Sequence, residues 1–423
     1  MSAENLHTAH QAPGWPPRAT RLILCVVIVA AFGCIFYQYR IARRALPSHV
    51  PYIKWTKSFA DGQGFATSPL LGNDGELYLG SISGTMFSLD SSGAMRWQYR
   101  VPEFIAGGLL QDRNENIYFT TLTAVYSLTS SGLKRWETAC SPGRMWQDDQ
   151  GSTFDGNVLY AECGDKFCAL NKDDGRQIWS RAALDRESAP VMLKDGVLAS
   201  LTGRQIVAVD REGKTLWTYP RDSIFTYDPR VASNSPPETW EVWADTPIAV
   251  GSDGTLYVGS LVNQKFLAVD AHGALKWTFD VGDQGFRTSP VIASDGTVFA
   301  VSYPQGFLYA FSPDGSLKWK FQSPNPVLNQ ELPAPVLGSD GTIYVLGAQR
   351  LIALSPEGRM LWELPLQGSF GGSPALAPDG TLYIATQEGA IYAVQTASRG
   401  LMQSAWPKYQ HDSSNSGRVP GDN

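Results

Sequence analysis

The sequence predicts an all-β fold: an eight-bladed β-propeller of four-stranded antiparallel blades, preceded by one N-terminal transmembrane helix. Three observations carry this. A tryptophan recurs at Trp55, Trp97, Trp136, Trp179, Trp217, Trp277, Trp319 and Trp362, at intervals of 42, 39, 43, 38, 60, 42 and 43 residues. Eight turn-plus-strand cores stand between them: NDGELYLG, RNENIYFT, FDGNVLYA, KDGVLAS, SDGTLYVG, SDGTVFAV, SDGTIYVL and PDGTLYIA. Alternation within these strands has period two, and nothing of comparable length has helical period. A repeat of about 42 residues marks a modular array, and four-stranded units of that length arranged radially make a propeller.

Each unit reads as four strands. A short apolar strand leads into an Asp-Gly turn, because Gly and Asp or Asn tolerate the positive φ such turns require. A strand of the LYVG kind follows, then a small loop and a strand of the LYALD kind. A second Gly turn (SSG, DDG, REG, AHG, PDG, PEG) leads to the Trp strand. The blades close if YIKWTKSF, near the N-terminus, completes the last one, which removes the open edge of a linear array. A large indole on each outermost strand is the expected wedge between neighbouring blades, burying on the order of 200 Å². The interval of 60 marks an inserted Pro- and Ser-rich loop within 218–247.

The chain ends are separate units. Residues 1–21 form a polar head, and 22–39 (LILCVVIVAAFGCIFYQY) carry no charge. A spanning helix needs roughly 17–25 such residues, so 22–39 is expected to anchor the chain, with 40–51 as linker, 52–400 as propeller and 401–423 as tail. More Lys and Arg follow the span than precede it, which favours a cytoplasmic C-terminal side. Cysteine usage points the other way. The stretch ECGDKFC would place Cys163 and Cys168 across a short hairpin, and a bridge there requires an oxidising compartment; with Cys140, three thiols leave one over.

The net charge of −6, without a basic block, gives no reason to expect a nucleic-acid partner. Gly-rich phosphate loops, Gly-x-Ser-x-Gly elbows and His-Glu-x-x-His are all missing from the sequence. His272 and His411 have no partner at metal-ligand spacing. One further register stands out. Aligned on the first turn, Pro69, Pro190, Pro290, Pro335 and Pro374 share a position, with Pro247 one residue off. Four residues earlier come Phe65, Trp146, Arg186, Phe286, Glu331 and Phe370; Trp243 keeps register with Pro247, and Phe104 falls nearby. These residues, with Arg287, are expected to ring the mouth of the central funnel. They serve there either as an anchoring surface for a peptide or ligand or as packing between blades.

The repeated SP…DG-x-(L/V)-Y…LYALD…G…W unit resembles the pyrroloquinoline-quinone-like (PQQ-like) propeller repeat, and the chain looks like the BamB-like group of bacterial propellers. The likeness runs over residues 52–406, and the tail AWPKYQHDSSNSGR resembles a segment that recurs at the ends of such proteins. Two outcomes are implied. The BamB-like members act as docking scaffolds in outer-membrane protein assembly, lipid-anchored in the periplasm, and this chain departs from them by its spanning segment and weak lipobox at Ala31–Cys34. The likeness leads us to expect a non-catalytic scaffold, anchored in the inner membrane of a bacterium with its propeller periplasmic, bound to envelope protein partners and lacking a cofactor. The quinoprotein dehydrogenases instead hold PQQ with calcium, a catalytic Asp and a disulfide between adjacent cysteines, and no position here matches those features. A ligand- or glycan-binding sensor is the remaining alternative.

Overall fold

The computed structural model describes residues 50–59, 64–105, 108–141, 151–182, 188–202, 205–220, 246–260, 264–282, 285–323, 333–347 and 349–418. The expected anchor at 22–39 lies outside the described residues, as does most of the 218–247 insertion. Among the described residues no helix is long and apolar enough to cross a membrane.

The described strands form eight separate antiparallel sheets. Blade 1 runs through Leu70–Leu71, Leu77–Gly80, Thr85–Leu89 and Met95–Arg100. Blade 2 runs from Leu110–Gln111 to Lys134–Ala139, blade 3 from Ser152–Asp155 to Gln177–Ala182, and blade 4 from Val191–Met192 to Thr215–Tyr219. Blades 5, 6 and 7 end on Leu275–Asp280, Leu317–Gln322 and Met360–Pro365. Blade 8 joins Ala375–Leu376, Thr381–Ala385 and Ala390–Gln395 to Tyr52–Ser58 from the other end of the chain, with Thr56 opposite Tyr392. The ring is therefore closed by strand pairing rather than by a loop.

Burial follows strand position. The second and third strands are buried along almost their whole length, because both of their faces meet neighbouring blades. Outer strands alternate between exposed and half-buried, as in MRWQYR and LKWTFD. The core divides into clusters at the seams between blades; one joins Leu267 and Phe266 of blade 5 to Phe311 and Tyr309 of blade 6.

All eight outer strands carry a bulge at the residue before the tryptophan. In blade 5, Ala268 faces Trp277 and Val269 faces Leu275, leaving Lys276 unpaired; Arg96, Lys318 and Lys54 occupy the same place in blades 1, 6 and 8. A bulge re-aims one side chain at little cost to the ladder. The residue facing each tryptophan is small: Ser88, Ser127, Ala169, Ala208, Ala268, Ala310, Ala353 and Ala393. All eight are fully buried.

Candidate functional site

The tryptophans are fasteners between blades. Trp277 donates its indole N–H to the Pro313 carbonyl of blade 6 at 2.8 Å, and a Cβ on Gly315 would lie 2.5 Å from its ring. The same bond joins Trp55 to Ser91, Trp97 to Ser130, Trp136 to Lys172, Trp179 to Arg211, Trp217 to Ala271 and Trp319 to Pro356. Gly315 has φ of +90°, so only glycine accepts both the turn and the indole lying on it. Trp362 faces blade 8, whose third and outer strands come from opposite chain ends and share no such turn.

The turn carboxylates are committed to the fold. The bulged Lys276 bonds Asp253 at 3.0 Å and Thr255 at 2.8 Å; Lys318 makes the same pair of bonds to Asp295 and Thr297, and Lys54 to Asp379 and Thr381. Burial works to raise the pKa of these three aspartates, but the threonine hydroxyl and N–H and the lysine outweigh it and hold them below the usual value. In sequence the signal is a Thr after Asp-Gly and a Lys before Trp. Reading the Asp-Gly turns as turns alone missed it.

Of the nine residues expected to ring the funnel mouth, five are described, and three of these are buried rather than at a surface. Phe65 and Phe286 are fully buried and Phe370 is 7% exposed. Phe65 bridges Ser81, Phe370 bridges Thr386 and Phe286 pairs with Ser302, so each is part of an inner-strand extension beside the second strand of its own blade. Their rings pack between blades, as Phe286 does against Phe266 and Tyr309. In blade 2 the bridging residue is Ile105, opposite Thr121, and Phe104 is left half-exposed. Arg287 is also half-exposed, with its guanidinium 5.3 Å from the centre of the Tyr303 ring. Trp146, Arg186, Trp243 and Glu331 lie outside the described residues.

The expected Cys163–Cys168 bridge is likewise corrected. Cys163 bonds Cys140, joining the end of the blade 2 outer strand to blade 3, and Cys168 is a buried free thiol. In the hairpin Cys163 faces Lys166 and Cys168 faces Ala161, so the two cysteines are out of register with each other.

The C-terminal segment crosses the turn-side mouth of the ring. Leu401 bridges Gly338 of blade 7 and Trp406 bridges Ile292 of blade 6. Across the axis, the Gln111 N–H of blade 2 donates to the Ser414 carbonyl, Thr153 of blade 3 to Ser416, and the Met192 N–H of blade 4 to Gly417. Because these partners belong to inner strands on both sides of the ring, the segment crosses the axis. Trp406 is fully buried and Lys408 is 1% exposed. The Lys408 ammonium donates to the Tyr409 and Asp412 carbonyls at 2.7 and 3.0 Å and to the Asn415 side-chain oxygen. Burial pushes its pKa down to about 8, with the Asp412 carboxylate opposing. A cavity of 570 Å³ opens beside this segment, lined by Lys194, Ser252, Met402, His411 and Asp412 among others.

A quinone–calcium centre would need oxygen donors gathered at one place. Among the described residues no three His, Cys, Asp or Glu side chains come together as metal donors. The sequence has no adjacent cysteine pair, and the turn aspartates named above are held by threonine and lysine.

Comparison with known proteins agrees with the fold. BamB from Moraxella catarrhalis is 16% identical with a TM-score of 0.65, covering 82% of this chain and 100% of that one. The computationally designed protein Ika8 has 12% identity and a TM-score of 0.59, with 79% and 98% covered. A europium-containing methanol dehydrogenase has 13% identity and a TM-score of 0.57, with 82% and 93% covered. At such identities the likeness shows the propeller and nothing of its chemistry. No curated protein matches the chain in sequence. The family model described as outer membrane protein assembly factor BamB matches residues 122–235 and 227–423, and the chain therefore belongs to the BamB-like family of PQQ-repeat propellers.

Proposed function

We propose that this protein is a non-catalytic scaffold that binds other proteins in the bacterial envelope, working from the mouth of the ring opposite its C-terminal segment. The observation that carries the reading is the division between the two mouths. One is crossed by the chain's own residues 401–418. At the other, among the described residues, Phe104 and the Arg287–Tyr303 pair stand half-exposed. Aromatic side chains and arginine supply most of the anchoring at protein interfaces, and connectors on a rigid scaffold are where binding residues concentrate.

Location belongs to the same proposal. The uncharged segment 22–39 anchors the chain as a single pass in the inner membrane, and the propeller faces the periplasm. Support comes from the Cys140–Cys163 disulfide, since such bonds persist in oxidising compartments, and from family membership. No cofactor takes part. A Phe104→Ala/Arg287→Glu double variant tests the binding role. It is expected to keep the wild-type melting temperature and to lose at least about tenfold in capture of envelope proteins, the loss typical of interface anchors. Undiminished capture by a folded double variant would contradict the reading.

A further inference from the structure

The C-terminal segment is built differently from the ring beneath it. The second and third strands of the blades hold each other through continuous ladders and apolar seams. The segment holds on through single bonds to many blades: Ile292 N–H to the Trp406 carbonyl at 2.7 Å, Leu337 N–H to Pro407 at 2.9 Å, Gln111 N–H to Ser414 at 3.1 Å and Met192 N–H to Gly417 at 2.9 Å. Its buried side chains are mostly polar: Lys408, Gln410, His411, Asn415 and Ser416 beside Trp406 and Tyr409. Gln410, His411 and Asn415 also have positive φ, at 57°, 72° and 54°. Non-glycine residues bear that conformation at a cost that the surroundings must offset.

Two side chains bind the segment into one body. Trp406 is its apolar anchor, packed in the cluster that contains Ile292 of blade 6. Lys408 ties the first half to the second, since its ammonium reaches the Asp412 carbonyl and Asn415, and Asn415 in turn donates to the Leu109 carbonyl of blade 2 at 2.8 Å. The ring does not need the segment for closure, because blade 8 is completed by Tyr52–Ser58.

We infer that residues 401–418 form a strap that opens and closes as a single unit over a ring already closed, and that its opening uncovers the turn-side mouth of the ring. Single backbone bonds to separate blades, and non-glycine residues held at positive φ, favour local opening of the strap over opening of the ladders in the ring. It is a conformational device separate from the binding role proposed above: the connectors can bind a partner whether or not the strap moves.

Native-state hydrogen exchange on the full-length chain tests this through the amides of Gln111, Met192, Ile292 and Leu337. In the wild type all four are expected to exchange with one common protection factor, lower than that of the second and third strands of blade 5. Trp406→Ala removes the anchor on blade 6, and is expected to speed all four amides by a common factor of about tenfold or more, including Gln111 and Met192 across the axis. Lys408→Met, which keeps the length of the side chain, is expected to do the same and serves if the tryptophan variant fails to fold. Two results would overturn the inference: faster exchange confined to Ile292 and Leu337, or equal acceleration of the blade 5 strands.

Discussion

The seam between blades 5 and 6 and the seam between blades 7 and 8 do the same job with different parts. At the first, Trp277 lies on Gly315 and bonds the Pro313 carbonyl. At the second, Trp362 has the equivalent place, but the turn it would meet does not exist, since blade 8 is assembled from both chain ends. There the chain leaving blade 8 folds back onto blade 7. Ser398 donates to Asp340 at 2.5 Å and shares a 2.7 Å bond with the Tyr344 hydroxyl, while the Ser339 N–H donates to the Gly400 carbonyl. Leu361 occupies the bulge in blade 7 where Lys276 sits in blade 5, which leaves the Asp340 carboxylate for Ser398. Closing a ring with strands from two termini removes one turn, and a segment outside the repeat replaces its bonds.

Substitutions at the two seams separate these fastenings. The largest effect is expected from Trp277→Ala, which loses about 3 kcal/mol through cavity and transfer terms together with the bond to Pro313. Trp362→Ala is expected to cost about 1 kcal/mol less, because no turn bond is lost. Equal losses on chemical denaturation would show that the turn bond contributes nothing. Next in size is Ser398→Ala, which leaves Asp340 and Tyr344 short of a partner at the closure seam; a loss of about 1–2 kcal/mol is expected. Ser316→Ala, at an exposed turn, is the comparison and is expected to change stability by less than about 0.5 kcal/mol.

The smallest effect concerns the lysine clasp. Asp253, Asp295 and Asp379 have folded pKa values below their ordinary one. Their contribution is thus present above the unfolded value and lost as pH falls through the folded one, from about pH 4 downward. Lys276→Met raises the Asp253 value toward normal, so blade 5 loses the contribution at a higher pH. With Lys276 37% and Asp253 59% exposed, solvent screening keeps the change at neutral pH to about 0.5 kcal/mol or less. An acid-unfolding midpoint that stays put in the variant would remove the clasp from the account.

What could be read from the sequence was what repeats. The tryptophan spacing, the Asp-Gly turns and the count of eight blades depend on local chemistry present in every unit. The missed features are relations between units. Phe65, Phe286 and Phe370 were correctly aligned with one another, but alignment on a turn does not say which side of an inner strand faces the next blade. Cys140 and Cys163 lie 23 residues apart in different blades, so hairpin reasoning around ECGDKFC favoured the nearer cysteine. The strap was visible only as a distinctive segment, because its partners at Gln111, Met192 and Ile292 are set by its path across the axis.

The two mouths differ: residues 401–418 cross one, and Phe104 stands half-exposed at the other. A photo-crosslinking amino acid at Phe104 on the connector side, and separately at Ser413 on the strap side, tests the functional proposal directly in living cells. The account predicts crosslinks to envelope proteins from position 104 and none from 413; crosslinks from 413 alone would contradict it.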